Sequence, residues 1–118
     1  MTDRTIPQLK AVLKKYLKKW KNNLYLGMWQ IDFNIREYLK NEQGEFETAA
    51  TCDANWQYFY ASLNFSYAKM RELADIEIEK IVLHEMLHVV VNEMREDGID
   101  HEERVVSHLT MICEWMDK

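Results

Sequence analysis

The segment Ile81-Val82-Leu83-His84-Glu85-Met86-Leu87-His88-Val89-Val90-Val91 restricts what this chain can fold into more than any other. It lies inside a helical pattern that runs from Asp75 to about Glu96, and it is apolar nearly all the way round. A helix of that kind is buried on most of its sides, so the remaining elements must pack around it. Asp75 suits its N-cap, Glu77 and Glu79 suit its positive end, and Asp97-Gly98 suits its stop.

Three ionisable residues interrupt that apolar run. They need a reason to be there, because an unpartnered buried polar group costs free energy. His84 and His88 are four positions apart and project from one helix face about one turn from each other. That spacing lets two imidazoles hold one ion, at about 2.0–2.1 Å each for zinc. Glu85 is rotated about 100° from His84. It flanks the ion without ligating it and can take a proton from the attacking water. These residues form the HExxH pattern, and Zn2+ is the expected cofactor. A structural zinc site has four protein ligands and no open position. Cys52 and Cys113 lie far from the motif and do not supply one. A third ligand is expected from the last helix.

That helix is predicted from about Asp100 to Met116, with Val105, Val106, Leu109, Ile112, Cys113 and Met116 as its apolar stripe. The ligand candidates are His101, Glu102, Glu103 and His108. A continuation HExxHxxGxxH is excluded, because Val91 stands at the glycine position and Met94 at the third histidine. Glu102 lies on the apolar stripe with Val106 and Leu109. Glu103 lies off it, on a face that carries Ser107 and Thr110. Those small residues allow close helix approach, and Ser107 can support a ligating histidine. Glu103 is therefore favoured over Glu102. Against this, Asp100 and Glu103 have capping-box spacing, which would give Glu103 a structural task. His101 and His108 read as surface or supporting residues.

The rest of the chain must cover the apolar helix. Residues 6–23 read as a helix, with Thr5 as N-cap and Pro7 in the first turn. Ile6, Leu9, Val12, Leu13, Tyr16, Leu17 and Trp20 form its apolar face. Lys10, Lys14, Lys15, Lys18, Lys19 and Lys21 fill much of the rest, as a solvated face turned to water or to the acidic remainder. Three strands follow. Trp29, Ile31, Phe33 and Ile35 alternate with polar residues, as do Ala50, Cys52, Ala54 and Trp56, and then Phe59, Ala61, Leu63 and Phe65. A turn is expected at Asn41-Glu42-Gln43-Gly44 and a tight hairpin near Asp53–Asn55. The reading is an α+β fold in the order α-β-β-β-α-α, one domain over residues 1–118, with a small, mostly antiparallel sheet packed on the motif helix.

At His84-Glu85-Met86-Leu87-His88 and Glu103-Arg104-Val105-Val106-Ser107-His108-Leu109 the chain resembles the gluzincins, the thermolysin-like branch of the zinc peptidases. It is most similar to their small single-domain members, the minigluzincins and the small phage or mobile-element metallopeptidases. The likeness spans roughly residues 24–116. It implies a minimal zincin-like fold, His84, His88 and Glu103 as zinc ligands, Glu85 as general base, and Leu109 at a core position. It also implies a peptide or protein substrate, laid against an edge strand that would here be residues 57–65. The gap from His88 to Glu103 is short for the family, and the family's usual substrate-binding subdomain is not found in these residues.

Two function classes follow: a zinc-dependent metalloendopeptidase, and a catalytically latent zincin-fold regulatory or binding protein of phage or mobile-element type. Composition narrows the partners. Of 118 residues, 47% are hydrophobic and 30% charged, with 3 Gly and 1 Pro, which leaves no room for a linker or low-complexity tract. The net charge of −5 is unevenly spread: Lys residues crowd the first helix, and the acidic remainder argues against nucleic acid as the main partner. No apolar run approaches the roughly 20 residues of a membrane span, and the polar first residues lack the apolar core expected of a signal peptide. Two isolated cysteines in no motif suggest free thiols and a cytoplasmic setting.

Overall fold

The computed structural model describes residues 3–39, 48–92 and 102–117. Helix α1 spans Ile6–Asn23 and begins as its sequence requires. The Thr5 hydroxyl accepts the Gln8 N–H at 3.3 Å, while Gln8 Oε1 accepts the Thr5 N–H at 2.8 Å. This reciprocal pair satisfies two of the N–H groups that a helix start leaves open. Leu9, Leu13, Tyr16, Leu17 and Trp20 turn inward.

Strands β1 (Gln30–Arg36), β2 (Ala50–Asn55) and β3 (Tyr60–Ser66) form one sheet in the order β1-β3-β2. The period-two pattern places Ile31, Ala61 and Ala54 in one row, Phe33, Leu63 and Cys52 in the next, and Ile35, Phe65 and Ala50 in the third. That face meets the helices, and Ala61, Leu63 and Phe65 are fully buried on it. The opposite face is polar, with Asn64 Nδ2 donating to Thr51 Oγ1 at 3.2 Å. The α+β class and the expected element order hold, with a short extra helix α2 (Tyr67–Met70) after β3.

The sheet is mixed, not mostly antiparallel. β3 lies between the other two strands, parallel to β1 and antiparallel to β2. Alternation identifies a strand and its inward face, but strand order is set by long-range pairing that leaves no local pattern. The β2–β3 connection is the 3-10 turn Trp56–Tyr58, ending with Phe59 in the left-handed region at φ 51°. It follows the expected Asp53–Asn55 position by a few residues.

Helix α3 spans Asp75–Val90. Its N-cap is Ala74 rather than Asp75. The Glu77 carboxylate turns back to accept the Ala74 N–H at 3.1 Å, and Asp75, one position inside, pairs with Arg4. The helix ends before the expected Glu96. Asn92, 6% exposed, has left the regular α-helix, and its Oδ1 accepts the Trp56 N–H at 3.0 Å. The expected turn at Asn41-Glu42-Gln43-Gly44, the stop at Asp97-Gly98, and His101 lie outside the described residues.

α3 packs against α1, β2 and α4 (Glu102–Met116). Ile78, Val82, Leu83 and Met86 are fully buried in the single core that these elements share. Each such side chain contributes about 1.5–3 kcal/mol through removal from water. The stripe expected on α4 is only half used. Val106 and Thr110 are buried and Leu109 and Cys113 partly so, whereas Val105, Ile112 and Met116 are exposed. The helix meets one neighbour closely, α3, so it buries a narrow band. Burial pushes the Cys113 thiol above the usual cysteine range, and no disulfide forms among the described residues. No helix among them is long and apolar enough to cross a membrane.

One lysine of α1 leaves the solvated face. Lys19 Nζ donates to Glu79 Oε2 at 2.6 Å and to Asp117 Oδ2 at 2.7 Å, tying α1 to α3 and to the segment after α4. Trp20 Nε1 donates to the same Glu79 oxygen at 3.0 Å. The hydrogen bonds to Asp117 and Glu79 hold the Lys19 ammonium above the ordinary lysine value of 10.5. A pKa raised by folding means stability that is present below pH 10.5 and lost as pH climbs past it toward the folded-state value. Because the side chain is 33% exposed, the pair is screened and contributes about 1 kcal/mol or less. In urea denaturation, Lys19→Met is expected to lower stability by that amount at neutral pH. The gap to the unsubstituted protein should close above pH 10.5.

Candidate metal centre

The buried helix presents its polar residues where β2 and the start of α4 converge on it. His84 and His88 stack one turn apart, their rings edge to face with centroids 5.0 Å apart. His88 is 5% exposed and His84 28% at the side chain, so one ring lies inside the protein and the other at its margin. Glu85 is 6% exposed. Ligand atoms of His84, Glu85 and His88 all lie within 4.8 Å of one another.

The last helix brings two carboxylates to these rings, and each takes a different place. Glu103 lies across both histidines, with Oε2 at 3.0 Å from His84 Nε2 and Oε1 at 2.8 Å from His88 Nε2. The two Nε2 atoms therefore converge on one carboxylate. Glu102 reaches the far side of the inner ring, where its Oε2 accepts from His88 Nδ1 at 2.8 Å. Exposure separates them: the Glu103 side chain is 75% exposed and that of Glu102 13%. The sequence treats these residues as competitors for one position, yet both engage the histidines, on opposite nitrogens. Both also begin α4, where the positive helix end favours acidic groups.

Ser107 does not support a histidine in this arrangement. It is exposed, and both ring nitrogens of His88 and Nε2 of His84 face Glu102 and Glu103 instead. Thr110, its companion on the expected close face, is buried but turns its hydroxyl back to the Val106 carbonyl at 2.8 Å. His108 is exposed, as expected for a surface residue.

A cavity of about 390 Å3 opens beside the histidines, lined by Thr48, Ala49, Ala50, Lys80, Ile81, His84, Glu85 and Glu103. The strand at its border is β2, an edge of the sheet among the described residues, and not residues 57–65. β3 pairs with a strand on either side and has no edge to offer. Lys80 also escapes sequence reading, although its position four residues before His84 already places it on the histidine face. Thr48, Ala49 and Ala50 leave no local signal, because their place depends on strand order. Tyr58 and Tyr60 are exposed near the hairpin and do not line this cavity.

The donor set suits a borderline divalent ion. Two imidazole nitrogens and a carboxylate meet beside an open cavity, a set that could hold a divalent ion and leave a position open. Comparison with protein-family models, with curated proteins and with solved structures finds no match to this chain.

Proposed function

We propose that this chain is a zinc-dependent hydrolase acting on peptide bonds, with His84, His88 and Glu103 holding the ion and Glu85 moving the proton. The observation that supports this most is the convergence of both Nε2 atoms, within 3.0 Å, on one Glu103 carboxylate. Groups that already share one oxygen pair are placed to share one cation. The resemblance of both helical motifs to the gluzincins points the same way.

Zinc bound there would polarise the scissile carbonyl and make water acidic enough to attack near neutral pH. Glu85 then has the role of general base. Its carboxylate is buried beside the histidines and lines the cavity, so it can take the proton of the attacking water and return it to the departing amine. Its neighbours on the helix, Met86 and Leu87, are buried and anchor this turn in the core. An extended peptide would lie along β2, which borders the cavity and is an edge among the described strands, a mode that binds main chain and selects weakly on side chains.

Two measurements test the reading. Titration of the purified protein should show one equivalent of bound zinc. His88→Ala and Glu103→Ala should weaken binding by more than the ~10–100-fold that loss of a supporting residue costs. Separately, Glu85→Gln should keep the zinc and lower the rate of peptide cleavage by about a hundredfold to ten-thousandfold. Absence of stoichiometric zinc, or equal cleavage by the Gln variant, defeats the hydrolase. Full zinc occupancy with no cleavage across a diverse peptide library would move the assignment to a latent binding protein.

A further inference from the structure

Helix α4 carries apolar residues on two sides, and the chain covers one of them. Val106 is buried, and Leu109 and Cys113 partly so, on the band that meets α3. The outer side carries Val105, Met111, Ile112, Trp115 and Met116, which are 44%, 65%, 40%, 73% and 71% exposed. Apolar residues scattered singly over a surface need no explanation, but these five stand together. At 100° per residue they fall within an arc of about 140° on one helix. They present on the order of 500 Å2, the upper end of what a monomer leaves in water. Val105, His108, Ile112 and Trp115 follow at spacings of three, four and three, which is the repeat of a seam between two helices. Met111 and Met116 flank that seam.

We propose that a second copy of the chain covers this face, through a two-fold antiparallel contact of α4 with α4. The spacing of three, four and three reads the same from either end of the helix, so the seam is complementary to itself when one copy is reversed. Reversal sets Val105 opposite Trp115 and His108 opposite Ile112. The largest side chain then meets the smallest, as close packing requires, and the two helix dipoles oppose each other. A parallel pair would instead drive Trp115 against Trp115. Charge disfavours a lipid surface as the occupant. A helix that lies on a membrane surrounds its apolar face with Lys and Arg, whereas α4 has Arg104 against Glu102, Glu103 and Glu114. Two such patches bury about 1,000 Å2 in all, the low end of a specific interface, so the dimer is reversible. Glu103 stands about 160° round the helix from Val105, so the contact does not involve the residues at the histidines and is independent of the metal reading.

Sedimentation equilibrium of the unsubstituted protein should show a reversible monomer–dimer exchange over micromolar concentrations. Ile112→Lys and Trp115→Lys, each checked for folding by circular dichroism, should raise the dissociation constant ~30-fold or more. Tyr58→Lys, at a residue 76% exposed but outside the face, should leave it unchanged. In dimers mixed from isotope-labelled and unlabelled copies, filtered NMR should find the Val105 methyl protons against the Trp115 ring. Within one helix those residues are about 15 Å apart, so the contact has to cross between copies. That measurement uses the unsubstituted chain and stands even if a variant fails to fold. The proposal is overturned if the protein stays monomeric at NMR concentrations, which would give this face to a different partner. It is also overturned if the dimer survives both α4 variants, if Tyr58→Lys dissociates it, or if the filtered spectra join Trp115 to Trp115. None of these readouts involves zinc or cleavage, so they separate failure of this contact from failure of the hydrolase reading.

Discussion

The burial of α3 is the constraint on which the rest of the structure depends. A helix apolar on nearly every side cannot lie on a surface, and here α1, β2 and α4 enclose it. Enclosure takes His88 and Glu85 out of water and His84 part of the way. Their nitrogens and oxygens then require partners from whatever packs against the helix. α4 meets that requirement at its first turn, where Glu102 and Glu103 stand side by side. Packing and site chemistry are therefore one problem in this protein, because the contact that closes the core also delivers the carboxylates.

The exposure gradient across the site follows from the same geometry. His88 is deep and bonded on both nitrogens. His84 is one turn closer to the margin, and Glu103 stands in solvent. Supporting contacts lie inside and the open cavity lies outside, against the edge of β2. The hydrolase proposed above would use that arrangement, with buried donors beneath and an open cavity above. Farther round α3, the Lys19 contacts to Glu79 and Asp117 hold α1 and the end of α4 on either side of the helix.

Much of this was legible in the chain. The spacing of His84 and His88, the offset of Glu85, and the inward faces of α1 and of the three strands all follow from the geometry of a single element. Residues four apart share a helix face, and residues two apart share a strand face, whatever surrounds them. Likewise, Glu102 on the apolar band of α4 and Glu103 beside it were readable from periodicity. What periodicity does not carry is which atom of a neighbouring element each would meet. The two acids therefore read as rivals, although they occupy opposite nitrogens of one ring. Ser107 read as a support for a histidine for the same reason, and it faces solvent.

By itself, then, the sequence determined that a buried helix carries two histidines and a glutamate, that acids open the next helix, and that three strands present one apolar face. The tertiary structure alone decided that β3 lies between β1 and β2, so that β2 and not β3 borders the cavity. It also decided that α3 ends at Val90, beyond which the Trp56 backbone N–H donates to the Asn92 side-chain oxygen. It decided as well that Glu102 and Glu103 both reach the histidines. The division has a physical reason. Faces are set by the repeat of one element's backbone, whereas partners are set by contacts between residues far apart in the chain, which no short-range pattern records.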